Sequence, residues 1–116
     1  MNDKELVAYA ALDYVEDNSI VGLGTGSTAD IFIKMLAEKI SNESLNISVV
    51  ASSVISQKKA NDAKLNYISI DQVTSIDLYV DGADEITRDL EILKGRGFDL
   101  IREKLLAQMS EKFIVI

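Results

Sequence analysis

The chain has 116 residues, 47% of them hydrophobic and 27% charged, which suits one soluble globular domain with a single core. Twelve Lys and Arg against nineteen Asp and Glu leave a net charge of −7 and no basic tract, a poor basis for binding nucleic acid, where phosphate contacts supply most of the affinity. The absence of Cys and His removes disulfides, thiol nucleophiles, thiolate zinc sites and imidazole bases, so proton transfer falls to Asp, Glu, Lys or Tyr.

The elements alternate between helix and strand, which predicts an α/β fold with an open, mostly parallel, Rossmann-like sheet flanked by helices. Asn2 and Glu5 form a capping signal, and Leu6, Val7, Ala10, Ala11 and Tyr14 then recur at helical spacing. Residues Ser19 to Gly22 read as a short apolar strand that runs into a turn with glycines at Gly22, Gly24 and Gly26. A second helix follows, with Ile31, Phe32, Met35, Leu36 and Ile40 on one face. Ile47 to Ala51 is the next strand, ending at Ser52 and Ser53. Val54 to Leu65 reads as a helix and Tyr67 to Ile70 as a short strand. Ile76 to Val80 is a further strand, leading into Asp81-Gly82-Ala83-Asp84-Glu85. Leu90 to Leu93 is extended and meets Lys94-Gly95-Arg96-Gly97. Ile101, Leu105, Leu106 and Met109 then mark a last helix. Phe113 to Ile116 reads as a buried strand, with the chain stopping on it as though cut. No apolar run is long enough to cross a bilayer, and Met1 leads into charged sequence rather than a signal peptide, so a cytoplasmic protein without membrane contact is expected.

Four groups of residues can carry chemistry. In the glycine-rich turn, Thr25, Ser27 and Thr28 add hydroxyls at a helix N-terminus, whose N–H groups and dipole favour a phosphate. The competing reading is a plain strand-to-helix turn with Ser/Thr capping. It is not a P-loop, since no Lys follows the last glycine, and the loose dinucleotide pattern Gly24-x-Gly26-x-x-Ala29 lacks an acid for the ribose at Ser52-Ser53. Asp81 and Asp84 can converge on sugar hydroxyls, move protons or hold a divalent cation, or can form a merely acidic turn. Lys94 beside Gly95 and Gly97 can meet a phosphate or a developing oxyanion, or can sit solvated. Glu103, taken alone, reads as an exposed helix charge.

In order, Gly22-Leu23-Gly24-Thr25-Gly26-Ser27-Thr28-Ala29, then Tyr79 to Ile86, then Lys94-Gly95-x-Gly97, then Arg102-Glu103-Lys104 resemble ribose-5-phosphate isomerase of the A type, from about Asp3 to Ile116. The resemblance implies one α/β isomerase-like catalytic domain over residues 1–116. Its reaction would interconvert ribose 5-phosphate and ribulose 5-phosphate, in the non-oxidative branch of the pentose phosphate pathway, without metal or other cofactor. It also implies roles. Thr25, Gly26, Ser27 and Thr28 would hold the phosphate end. Asp81, Gly82, Ala83 and Asp84 would contact sugar hydroxyls, with Asp81 helping ring opening. Lys94, Gly95, Arg96 and Gly97 would bind substrate, and Glu103 would accept the proton. Arg96, Phe98 and Asp99 stand where the family has small residues. Family members continue past Ile116 with an Asp-x-Ser-Lys segment and a further α/β portion, so the chain is expected to be truncated at its C-terminus and to have little or no isomerase activity by itself. A homodimer or larger homo-oligomer is expected. The alternative is a sugar-phosphate-sensing domain similar to those of DeoR-like regulators, which would not need Glu103 and Lys94 in catalytic positions.

Overall fold

Each strand expected within the described part of the chain enters one sheet. The computed structural model describes residues 1–82 and 97–116, and the extended stretch Leu90 to Leu93 lies outside them. The order is α1 (Asp3–Ala11), a 3₁₀ turn (Leu12–Tyr14), β1 (Ser19–Leu23), α2 (Ser27–Glu43), β2 (Ile47–Ala51) and α3 (Val54–Asp62). Then come β3 (Asn66–Tyr67), a second 3₁₀ turn (Ile70–Gln72), β4 (Ile76–Asp81), α4 (Gly97–Met109) and β5 (Ser110–Val115). Sheet order is β3-β2-β1-β4-β5 with every pair parallel, so the fold is the α/β architecture read from the alternating pattern. The chain winds outward one way from β1 to β3 and the other way from β4 to β5. This puts the reversal of strand order between β1 and β4, where open α/β sheets place their sites.

Two cores lie on opposite faces of the sheet. On one, Val21, Leu23, Val49, Leu78 and Val80 pack under Ala8 and Leu12, under Phe32 and Leu36 of α2, and under Ala60 of α3. On the other, Val50 and Tyr79 pack under Leu106 of α4. The buried positions 21, 23, 49, 78 and 80 alternate with 22, 50 and 79 on the second face, as the two-residue repeat of a strand requires.

Local chemistry sets the helix starts. Asn2 Oδ1 accepts from the Glu5 N–H at 2.8 Å while Glu5 Oε1 accepts from the Asn2 N–H at 3.2 Å, closing the expected capping box. Ser53 does the same for α3 through Ser56.

Four expectations change. The inward side of the first helical segment is Ala8, Ala11, Leu12 and Val15, whereas Leu6, Val7, Ala10 and Tyr14 are exposed. Small alanines let α1 lie close against α2, and that packing outweighs the pull of the larger side chains. The third helix stops at Asp62 rather than Leu65, because Lys64 turns left-handed (φ 61°) and the Leu65 N–H closes on the Ala60 carbonyl. Tyr67 to Ile70 yields only the end of a two-residue strand, since Ser69 opens a 3₁₀ turn capped by Gln72. Finally, Phe113 to Ile116 belongs to a strand that starts at Ser110 and, among the described strands, stands last in the sheet order. Phe113 is 44% and Val115 52% exposed. Its apolar character reflects Ile114 and Ile116 packed on the first core and Phe113 stacked on Tyr79.

Candidate functional site

β1 and β4 end side by side, and their loops are stitched together directly. The Gly24 N–H donates to the Val80 carbonyl at 2.8 Å. A Cβ on Gly24 would overlap the Asp81 carboxylate and lie 2.6 Å from the Asp81 Cα, so only glycine permits this approach. Asp81 is 1% exposed. Its Oδ1 accepts from the Gly82 N–H at 2.8 Å and from the Thr25 N–H at 3.1 Å, and its Oδ2 accepts from the Tyr79 hydroxyl. The carboxylate thereby ties the first loop to the end of β4.

Thr25 faces inward. Its Oγ1 lies 2.7 Å from Ser53 Oγ and 3.1 Å from Ser52 Oγ, all three side chains being buried. Its hydroxyl and its N–H are therefore both engaged within the protein, and the parts of the loop turned outward are Gly26, Ser27 and Thr28. Gly26 has φ 113° and ψ 173° and opens α2 without a capping side chain. The first N–H groups of α2 then have no intrahelical acceptor and a favourable dipole, a setting for an anion. Lys4 of α1 reaches this point, its Nζ donating to Ser27 Oγ at 2.7 Å. Sequence reasoning missed Lys4, which stands 23 residues before Ser27. No local pattern marks it, and only the packing of α1 beside α2 brings it to the loop.

On the other face of the sheet, Glu103 on α4 is buried, at 8% exposed, and not the surface charge that its local sequence suggests. Its charge acts on Tyr79, which joins the two halves of the site. The Tyr79 ring fits against Gly22, where a Cβ would stand 3.0 Å from Cδ1, and stacks on Phe113 with centroids 4.9 Å apart and planes 11° apart. Burial drives its phenol far above the ordinary range. The Asp81 charge, the hydrogen bond to Asp81 and the Glu103 charge add to that, while the Ser52 hydroxyl opposes it. Tyr79 is thus a neutral hydrogen-bond donor. Sequence reasoning missed its part, although Tyr79 stands two residues before Asp81 on the same face of the strand.

The structure brings together Gly26, Ser27, Thr28 and Lys4 at one point, and Thr25, Asp81, Gly82 and Tyr79 beside it. Glu103 acts on that second cluster through Tyr79. Gly97 stands at the first position of α4. Ala83, Asp84, Lys94, Gly95 and Arg96 lie outside the described residues. Among the described residues no group of three His, Cys, Asp or Glu side chains is placed to hold a metal ion, and no helix is long and apolar enough to cross a membrane. A helix N-terminus open to an anion at α2, a fixed acceptor at Asp81 and a buried carboxylate at Glu103 make a set of groups capable of anion binding and proton transfer.

A family model described as ribose 5-phosphate isomerase A (phosphoriboisomerase A) matches residues 48–116. The ribose-5-phosphate isomerase A of Dinoroseobacter shibae is 42% identical over 113 residues, which cover 97% of this chain and 44% of that protein. Its counterpart in Enterococcus faecalis is 43% identical over 116 residues, covering 100% of this chain and 51% of the relative. Among solved structures, a D-ribose-5-phosphate isomerase in complex with phospho-erythronic acid superposes with a TM-score of 0.81 at 38% identity, over 97% of this chain and 49% of the other. The ribose 5-phosphate isomerase A of Methanocaldococcus jannaschii gives 0.81 at 32% identity, over 97% and 50%. The chain spans about half the length of the curated relatives it matches.

Proposed function

Because the chain belongs to the ribose 5-phosphate isomerase A family, we propose that it acts on D-ribose 5-phosphate and D-ribulose 5-phosphate as an aldose–ketose isomerase. The observation that carries the reading is the burial of Glu103 beside the sheet end that holds Asp81, in a chain without His or Cys. Proton abstraction next to a carbonyl needs a positioned base, and in a chain without His or Cys a carboxylate is the natural candidate.

The phosphate would sit on the N-terminus of α2, held by Gly26, Ser27 and Thr28 and by the ammonium of Lys4. Asp81, helped by Asp84, would engage the sugar hydroxyls and assist ring opening. Glu103 would take the proton from C2 of the open aldose, leaving an enediolate, and return it to C1 while the hydroxyl proton passes from O2 to O1. The net result is the ketose, with no gain or loss of electrons overall. Lys94 would supply the positive charge that stabilises the enediolate oxygen, with Gly95, Arg96 and Gly97 also binding substrate. Neither metal nor other cofactor is required by this scheme, and the family reading extends to a homodimer or larger homo-oligomer.

Turnover of ribose 5-phosphate by this chain, followed as ribulose 5-phosphate formed, tests the reaction. Thermal shift with ribose 5-phosphate against unphosphorylated ribose tests the phosphate site. Equal shifts from the two sugars would remove the phosphate assignment, and absence of turnover at saturating substrate would remove isomerisation by this chain.

A further inference from the structure

The hydroxyl of Tyr79 is buried at the centre of the site, yet the chemistry above gives it nothing to do. Gly22 on one side and Phe113 on the other fix its ring, and its hydroxyl meets the carboxylate that anchors the first loop. We propose that Tyr79 is a positioning residue for Asp81, a side-chain donor that keeps this carboxylate charged and correctly turned toward the first loop.

The argument rests on the balance around Asp81. Burial and a nearby like charge both favour protonating a carboxylate, whereas hydrogen bonds to its charged form oppose that. Among the described residues such bonds come from the Thr25 N–H, the Gly82 N–H and the Tyr79 hydroxyl. Of these, only the last comes from a side chain. Protonated, Asp81 would become a donor and lose acceptor capacity toward the Thr25 N–H, loosening the loop at its root. A phenol suits the task because it fills the space between Gly22 and Phe113 and does not ionise in the working range. The charged groups acting on it among the described residues are Asp81 on its own strand and Glu103 on α4. β1 and β5 present Gly22 and Phe113, and β2 leads into the Ser52 hydroxyl.

The effect on Asp81 stands by itself, while its consequence for substrate rests on the functional reading above. The test is carboxyl ¹³C NMR of the 116-residue chain labelled at aspartate, with Asp81 assigned by Asp81→Asn. In Tyr79→Phe the Asp81 titration midpoint should rise by about one pH unit or more, as loss of a donor to the charged form requires. Affinity for ribose 5-phosphate should fall about threefold at a pH midway between the two midpoints. Phe113→Leu, which removes the stack but leaves the hydroxyl, should lower the melting temperature without moving the midpoint. Should Tyr79→Phe fail to fold, 3-fluorotyrosine at position 79, a more acidic phenol of nearly the same shape, should lower the midpoint instead. If the wild type does not bind ribose 5-phosphate, the functional reading fails and the carboxyl titration still decides the role of Tyr79. An Asp81 midpoint that stays put when the hydroxyl is removed or acidified, with only stability affected, overturns the proposal.

Discussion

Glu103 and Lys4 show how differently single residues reveal themselves. Nothing beside Glu103 in the sequence separates it from a solvated helix charge, and it was the resemblance that singled it out. Its burial now supplies a physical reason for a base there. Replacing it with Gln keeps shape and removes the proton acceptor. Glu103→Gln should retain ribose 5-phosphate binding and lower turnover by about 10²–10⁴, the usual contribution of a positioned base. Turnover near that of the parent chain would move the role to another carboxylate. Lys4 was illegible because its partner Ser27 lies in another element and only tertiary packing joins them. Lys4→Met should weaken binding of ribose 5-phosphate roughly 10- to 100-fold, as loss of one charge-assisted hydrogen bond implies, and leave binding of unphosphorylated ribose unchanged. Calorimetric titration of both sugars checks this. Tyr79 predicts a pH effect on stability. Its folded-state pKa is raised above the ordinary 10.0, so its contribution is complete below pH 10 and is lost progressively as pH rises above it. Tyr79→Phe should therefore flatten the alkaline limb of the stability curve, read by denaturant melts between pH 8 and about pH 11.

At the scale of elements, most of the fold was legible because strands and helices here are short, well punctuated and patterned. β1, β2 and β4 were located to within a residue, and the capping box at Asn2 and Glu5 formed as read. The early ends of α3 and β3 are local, at Lys64 and Ser69, whereas the misread faces of α1 and β5 share one cause. Spacing tells which residues could face inward, but the neighbouring element decides which do. In α1 the alanine face won because α2 comes close, and in β5 the apolar run met a neighbour on one edge among the described strands. The turn between β1 and α2 was legible as a glycine-rich entry to a helix, although the inward turn of Thr25 was not, since its partners Ser52 and Ser53 come from the next crossover. Gly26 is the residue on which this turn depends. Its φ of 113° lies where a Cβ is strained, so Gly26→Ala should destabilise the chain by about 1–3 kcal/mol. The strain can instead be relieved by tilting the first turn of α2, and phosphate binding would then weaken while stability changes little. Urea melts and ribose 5-phosphate titration together distinguish the two outcomes, and an Ala variant normal in both would show that the loop does not need this conformation.

For the molecule as a whole, the net charge of −7 and the edge that β5 forms among the described strands act against each other. A parallel edge strand offers unpaired N–H and C=O groups, and Phe113 and Val115 add half-exposed apolar surface along it. Two copies approaching through this edge gain apolar contact and strand pairing. They also bring two strongly acidic surfaces together, a repulsion that reaches about 30 Å at 0.01 M salt but only about 3 Å at 1 M. The attraction is short-ranged and little affected by salt, so the balance should tip with ionic strength. The chain should therefore sediment as smaller species at low salt and shift toward dimers or larger species as salt rises, the reverse of an association built on ion pairs. Val115→Lys places a charge on the edge without touching the Tyr79–Phe113 stack, and should hold the chain in the smaller form at salt concentrations where the parent associates. Sedimentation velocity of both proteins at two salt concentrations decides it. Association that weakens with salt, or that survives Val115→Lys unchanged, would place the contact on another surface.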